Sequence, residues 1–149
     1  MKRDNETGKS SIDDYQVEAQ IGFLLRKAHQ RASSIFQSNF SDKQITPTQF
    51  SAMAKLKDEG EISQNHLGRL TAMDPATIQG VSRRLVDRGL VQTRADEVDK
   101  RRMLLRLTED GRQMIDSLIL KGRFVTKKTL SPLSEDEQAK ILELLKKIS

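Results

Sequence analysis

Thr77, Gln79, Gly80, Arg83 and Arg84 lie off the apolar stripe of Ile78, Val81 and Leu85, which recurs at helical intervals. Their side-chain types suit the edges and phosphates of a duplex. Glutamine can pair bidentately with adenine, and arginine can read guanine or hold a phosphate. Upstream, Ser63, Gln64 and Asn65 stand where a helix begins, and groups there can donate to phosphates. Downstream, Arg101 and Arg102 close the charged stretch 96–102. An arginine there could enter a narrow A·T-rich minor groove. Charge runs are more often solvated faces than sites, so the elements carrying these residues must decide.

Those elements are legible from residue 62 to 108. Ser63 is a candidate N-cap for a short helix, with Leu67 and Leu70 on its apolar edge and Thr71-Ala72-Met73 as the turn. Asp74 can cap the next helix, Pro75 suits its first position, and Gly89 is placed to end it in a left-handed conformation. Residues 90–94 and 103–107 read as strands around the charged tip. Two helices joined by a turn, then a basic-tipped hairpin, make a winged helix-turn-helix. Gly80 admits two readings. A mid-helix glycine costs about 1 kcal/mol relative to alanine, which either tight packing or close approach to DNA would justify.

At this point the chain resembles the MarR family of transcriptional regulators. The resemblance rests on Asp99-Lys100-Arg101-Arg102, on Leu107-Thr108-Glu109-Asp110-Gly111 and on 85–91 upstream, LVDRGLV. It implies a mainly α fold: a winged helix-turn-helix with a small β-hairpin wing and long N- and C-terminal dimerisation helices. It also implies a homodimer that binds double-stranded DNA. Many members of that family bind phenolic or aromatic carboxylates where the dimerisation helices meet the DNA-binding lobe.

The rest of the chain fits one domain. It has 149 residues, with 26 Lys and Arg against 21 Asp and Glu, for a net charge of +5. The placement of charge says more than its size. Between residues 63 and 106, Arg69, Arg83, Arg84, Arg88, Arg94, Lys100, Arg101, Arg102 and Arg106 outnumber the acidic residues. Residues 1–12 are polar and mixed in charge and are expected to form a flexible tail. Residues 13–149 are expected to form the single domain, with 46–108 as the winged lobe and 13–40 and 109–149 as dimerisation helices. Residues 13–39 read as one long helix with a stripe through Val17, Ile21, Leu24, Leu25, Ala28, Ala32, Ile35 and Phe36. Thr46-Pro47-Thr48-Gln49 is a capping-box start, and so is 134–137. The first and last helices carry more apolar surface than a small winged helix needs, and a second copy is the simplest cover.

Other chemistries find no support. There is no cysteine, so disulfides and thiol sensing are excluded. The two histidines, His29 and His66, sit on different elements, and no catalytic set, phosphate loop or metal spacing is present. No enzyme, cofactor or metal site is expected. No apolar run approaches membrane-spanning length, and a soluble cytoplasmic protein is the default.

The expected function is a ligand-responsive repressor binding palindromic operators. The alternative is a winged-helix module that binds protein. A protein-binding face should show apolar or aromatic anchors, whereas the outward face of 75–88 is polar and basic. For the effector, a small aromatic carboxylate, the candidate residues are Arg26 and His29 on the first long helix, with Phe50 and Met53 as an apolar wall. The alternative for Arg26 and His29 is simple solvation.

Overall fold

The computed structural model describes residues 12–149. Of the tail expected over 1–12, residues 1–11 lie outside the described residues.

The winged lobe begins at helix α2, Pro47–Glu59. Its capping box is reciprocal: the Gln49 N–H donates to Thr46 Oγ1, and the Thr46 N–H to Gln49 Oε1, each at 3.2 Å. Strand β1, Ile62–Ser63, leads into α3, Gln64–Leu70, where Ser63 Oγ accepts from the His66 N–H at 3.3 Å. Helix α4, Pro75–Asp87, follows the turn. Its end is a Schellman motif: Leu90 N–H returns to Leu85 O and Gly89 N–H to Val86 O, both at 2.9 Å, with Gly89 at φ +70°. Strands β2, Val91–Ala95, and β3, Met103–Leu107, form the antiparallel wing. Their register runs from Val91 opposite Leu107 to Ala95 opposite Met103, and β1 pairs with the other edge of β3.

Ile78, Val81 and Leu85 bury the inner side of α4 against a core that includes Met53, Leu56, Leu67, Leu105, Ile115 and Leu118. Each such side chain contributes roughly 1.5–3 kcal/mol on burial. The expected apolar stripe of α4 is therefore its core face. Leu70, expected on the apolar edge of α3, is exposed instead, and Leu67 alone of that pair enters the core.

Three longer helices frame the lobe: α1, Ile21–Phe40; α5, Glu109–Leu130; and α6, Glu135–Ile148. Thr108 caps α5 through the Gly111 N–H, and its hydroxyl donates to Gly89 O at 2.6 Å. The start of α5 is thereby tied to the end of α4. Arg31 ties α1 to the far end of α5, donating to Lys128 O and Thr129 O at 3.0 Å each.

The single helix expected over 13–39 is corrected. The chain makes short 3-10 turns at Ile12–Asp14 and Val17–Ala19, and the α-helix starts only at Ile21. Gln20 is extended and provides no side-chain cap. The apolar side chains there, Ile12, Tyr15 and Val17, are exposed. Helical propensity without packing is marginal over so short a stretch. The first wing strand also begins one residue later than expected, because Leu90 is engaged in closing α4.

Candidate nucleic-acid interface and effector cavity

The outward side of α4 and the inner side of the wing enclose a groove lined by Gln64, Gln79, Gly80, Ser82, Arg83, Thr93 and Met103, among others. Gln79, Arg83 and Arg84 are exposed, Gln64 and Gly80 half-buried. The Ser82 hydroxyl is buried without a hydrogen-bond partner at this groove.

Gly80 is not a packing glycine. An added Cβ would meet only Arg84 Nη1, at 3.7 Å. Tight packing in the helix-turn-helix belongs to Gly68, where a Cβ would stand 3.1 Å from Ile78 Cγ2 and 3.2 Å from Met73 O. That role is invisible in the sequence, since nothing marks the α3–α4 crossing beforehand.

At the head of α4, Asp74 caps the helix, accepting from the Thr77 N–H at 2.8 Å and the Thr77 hydroxyl at 2.7 Å. These bonds, the backbone one foremost, hold the Asp74 carboxyl below its usual value. Of the three residues expected at the start of α3, Asn65 is exposed and Gln64 lines the groove. Ser63 is buried in its capping role.

The wing tip is shaped by its own carboxylates. Asp96 Oδ1 accepts from Val98 N–H at 2.9 Å, and Asp99 Oδ1 from Arg101 N–H at 3.1 Å. Asp96 sits below its usual pKa, chiefly through the Val98 bond. Arg94 forks onto Glu61 at 2.6 and 3.1 Å, securing β2 to the segment before β1. Arg102 lies 3.8 Å from Asp96. The Arg101 guanidinium is exposed and has no partner among the described residues.

A second concavity, of about 700 Å³, opens between α1 and the start of α2. That is the size range of small-molecule sites. Its wall is the stacked pair Phe36 and Phe40, with ring centroids 3.9 Å apart and planes 6° apart. Its polar residues include His29, Ser33, Gln37, Gln44, Thr46 and Thr48. His29 Nε2 lies 3.4 Å from Ser33 Oγ.

Of the effector residues expected from sequence, only His29 lines this cavity. Arg26 lies outside it, its guanidinium carbon 5.5 Å from the Phe23 ring centroid. Phe50 stands behind the wall, edge-on to Phe36 and Phe40 at 5.9 and 5.3 Å. Met53 is fully buried in the core. The misplacement has a simple cause. Phe50 and Met53 face the interior of the lobe, while the cavity opens beside the first residues of α2. Phe36 and Phe40, four apart on α1, were the available signal; Gln44 and Thr48 carried none.

Helix-turn-helix, three-stranded wing and basic outer face together define a winged-helix DNA-binding protein. The MarR family model matches residues 45–103. The HTH-type transcriptional repressor NicR of Pseudomonas putida is 41% identical over 99% of this chain and 95% of its own. A probable transcriptional regulator from Pseudomonas aeruginosa has a crystal structure similar to this fold. Its TM-score is 0.84 at 42% identity, covering 90% of this chain and all of that one. The structure of Bordetella bronchiseptica BpsR, described for regulation of its DNA binding by 6-hydroxynicotinic acid, gives a TM-score of 0.86 at 36% identity. It covers 90% of this chain and 96% of its own. The chain belongs to the MarR family. It is a DNA-binding transcription regulator and not an enzyme. Among the described residues, no helix is long and apolar enough to cross a membrane.

Proposed function

We propose that this chain is a cytoplasmic homodimeric repressor, released from its operator by a small aromatic or heteroaromatic carboxylate. The carrying observation is the cavity at the joint between α1 and α2, with its aromatic wall and polar rim. A flat ring can pack against this aromatic wall. Its carboxylate would face His29, Ser33 and the start of α2. The α2 dipole and the Thr48 side chain there favour an anion. The Bordetella relative responds to 6-hydroxynicotinic acid, a compound of that class.

Dimerisation follows from the exposed apolar residues Ile21, Leu24 and Leu25 of α1, Leu120 and Phe124 of α5, and Ile141, Leu142 and Ile148 of α6. A second copy of the chain would cover these side chains. The two α4 helices then enter successive major grooves about 10 bp apart. Gln79 reads a base edge, Arg83 and Arg84 contact guanine or phosphate, and Arg101 enters the minor groove.

The test is titration of the protein–operator complex with 6-hydroxynicotinic acid and with benzoic acid, in parent and His29→Ala proteins. Release by the acids, weakened in His29→Ala, is expected. No release at millimolar concentration overturns the effector assignment.

A further inference from the structure

The turn between α1 and α2 lies between the cavity and the recognition helix. Ser41 and Gln44 line the cavity on one side. On the other, Arg88 at the C-cap of α4 reaches the same turn. Its Nη1 donates to Gln44 O at 2.9 Å and its Nη2 to Lys43 O at 3.0 Å. The turn also carries backbone strain: Gln44 is left-handed at φ +52°, ψ +38°. Residues without special αL tolerance hold that conformation only where the surroundings impose it. A third tie comes from α5. Lys121 Nζ donates to Asn39 O at 3.1 Å and to Asp42 at 3.2 and 3.3 Å.

We infer that Arg88 is the positioning residue that couples the cavity to α4, through the carbonyls of Lys43 and Gln44. This rests on the effector assignment proposed above. The guanidinium is planar and rigid, and its amino groups engage adjacent carbonyls at once. Such a fork tolerates translation of the turn poorly, because a shift of either peptide pulls its carbonyl off a rigid donor pair. A ring seated between Phe40 and Gln44 bears directly on the turn, since the cavity wall there is the turn itself, and a shift of the turn is how its presence would be felt. Lys121 holds the α1 end of the turn, so the movement falls on its Gln44 end, where Arg88 is attached. The C-terminus of α4 is then drawn or released, while its N-terminus stays seated on α3 through Gly68 and Ile78. The helix changes its tilt, and in a dimer both helices change together. The Arg88 bonds are exposed and compete with water, so they contribute little to folding stability. Their effect is on geometry.

The test uses full-length protein and a double-mutant cycle read by operator affinity. Ser33→Phe fills the cavity from α1 and imitates an occupant. In the parent background it should weaken operator binding by about 5- to 150-fold, the usual range of allosteric coupling. Arg88→Gln by itself should bind the operator nearly as tightly as the parent. Combined with Ser33→Phe, it should lose most of the weakening. Gln44→Gly relaxes the strained turn with Arg88 intact and should likewise blunt the Ser33→Phe effect. Arg88→Lys, which retains a donor but no fork, should recover only part of the coupling. Equal weakening in parent and Arg88→Gln backgrounds overturns the inference, and so does a Ser33→Phe protein with unchanged operator affinity. A parallel calorimetric titration with 6-hydroxynicotinic acid separates the two readings. If the acid does not bind the parent while the cycle remains non-additive, the effector identity is wrong and the coupling stands. If the acid binds and releases DNA from Arg88→Gln as well as from the parent, the coupling is wrong and the effector stands.

Discussion

Thr77 gives both of its protons to Asp74: the backbone N–H at 2.8 Å and the hydroxyl at 2.7 Å. With its hydroxyl proton engaged, Thr77 can offer DNA only an acceptor and a methyl group. The methyl suits the C5-methyl of thymine. Thr77→Ser keeps the cap bond and removes the methyl, and should relax a preference for thymine. Thr77→Val keeps a methyl and the backbone cap bond but loses the hydroxyl bond, and should retain that preference in a less stable protein. Selection from randomised operator duplexes distinguishes them; identical base preferences in both variants would remove Thr77 from the reading set.

The same cap gives a pH dependence. The Asp74 carboxyl is held below the ordinary 3.8, mainly by the Thr77 N–H. A carboxylate with a depressed folded pKa adds stability above its unfolded value and loses it as pH falls through the folded one. Urea midpoints should therefore decline as pH drops below 3.8. Asp74→Asn should decline less steeply. Some slope should persist, because Asp42, Glu61, Asp96 and Glu143 are shifted in the same direction.

Gly80→Ala separates fold from function. Nothing crowds the added methyl, so the variant should gain up to about 1 kcal/mol of stability from helix propensity. Its operator affinity should nevertheless drop, because the backbone can no longer approach the groove floor. A stabilised protein with unchanged affinity would leave this glycine without a role in binding.

Gln79→Ala and Arg101→Ala should differ in kind. Loss of Gln79 should relax the choice at one base pair per half-site, worth about 1–3 kcal/mol of discrimination. Loss of Arg101 should weaken binding to many sequences and flatten the salt dependence. Affinities for a mutated-operator panel at several salt concentrations check both; uniform losses from both variants would refute the division of roles.

Leu24→Asp combined with Phe124→Asp should disrupt the apolar surface shared by α1 and α5. Sedimentation should show a monomer. Operator binding should fall to the level of a single half-site. A stable dimer from this variant would place the interface elsewhere.

The winged lobe was readable because its signals are local. Thr46, Ser63 and Asp74 in the lobe, and Ser134 beyond it, all cap where expected, since a cap needs only its own next residues. The Schellman glycine, Gly89, is equally local. The start of α1 was not readable, because the stripe through Val17 and Ile21 continues past the point where packing ends. The cavity was partly readable. His29 lies in it, whereas Arg26, Phe50 and Met53 do not. Helical spacing gives a face; which face meets which neighbour depends on the crossing of α1 and α2. The left-handed Gln44 has no sequence mark at all, glutamine being an ordinary residue there.

Gly111, in the first turn of α5, has no room for even a methyl group. An added Cβ would overlap the Leu90 carbonyl oxygen, which is backbone and cannot step aside. Gly111→Ala should therefore cost about 1–3 kcal/mol or more. The larger meaning is kinematic. Thr108 and Gly111 weld the head of α5 to the joint between α4 and the wing, and that welded piece must travel as one body. Farther along, Gly122 receives the Phe50 ring, with a Cβ position 2.6 Å from Cζ, and fixes α5 to α2 as well. A swing of the whole lobe in a dimer, unlike a tilt of α4 within it, would then be absorbed beyond Gly122, in the last turns of α5 and in α6. The first half of α5 is the arm of the instrument, and its pivot lies in the second.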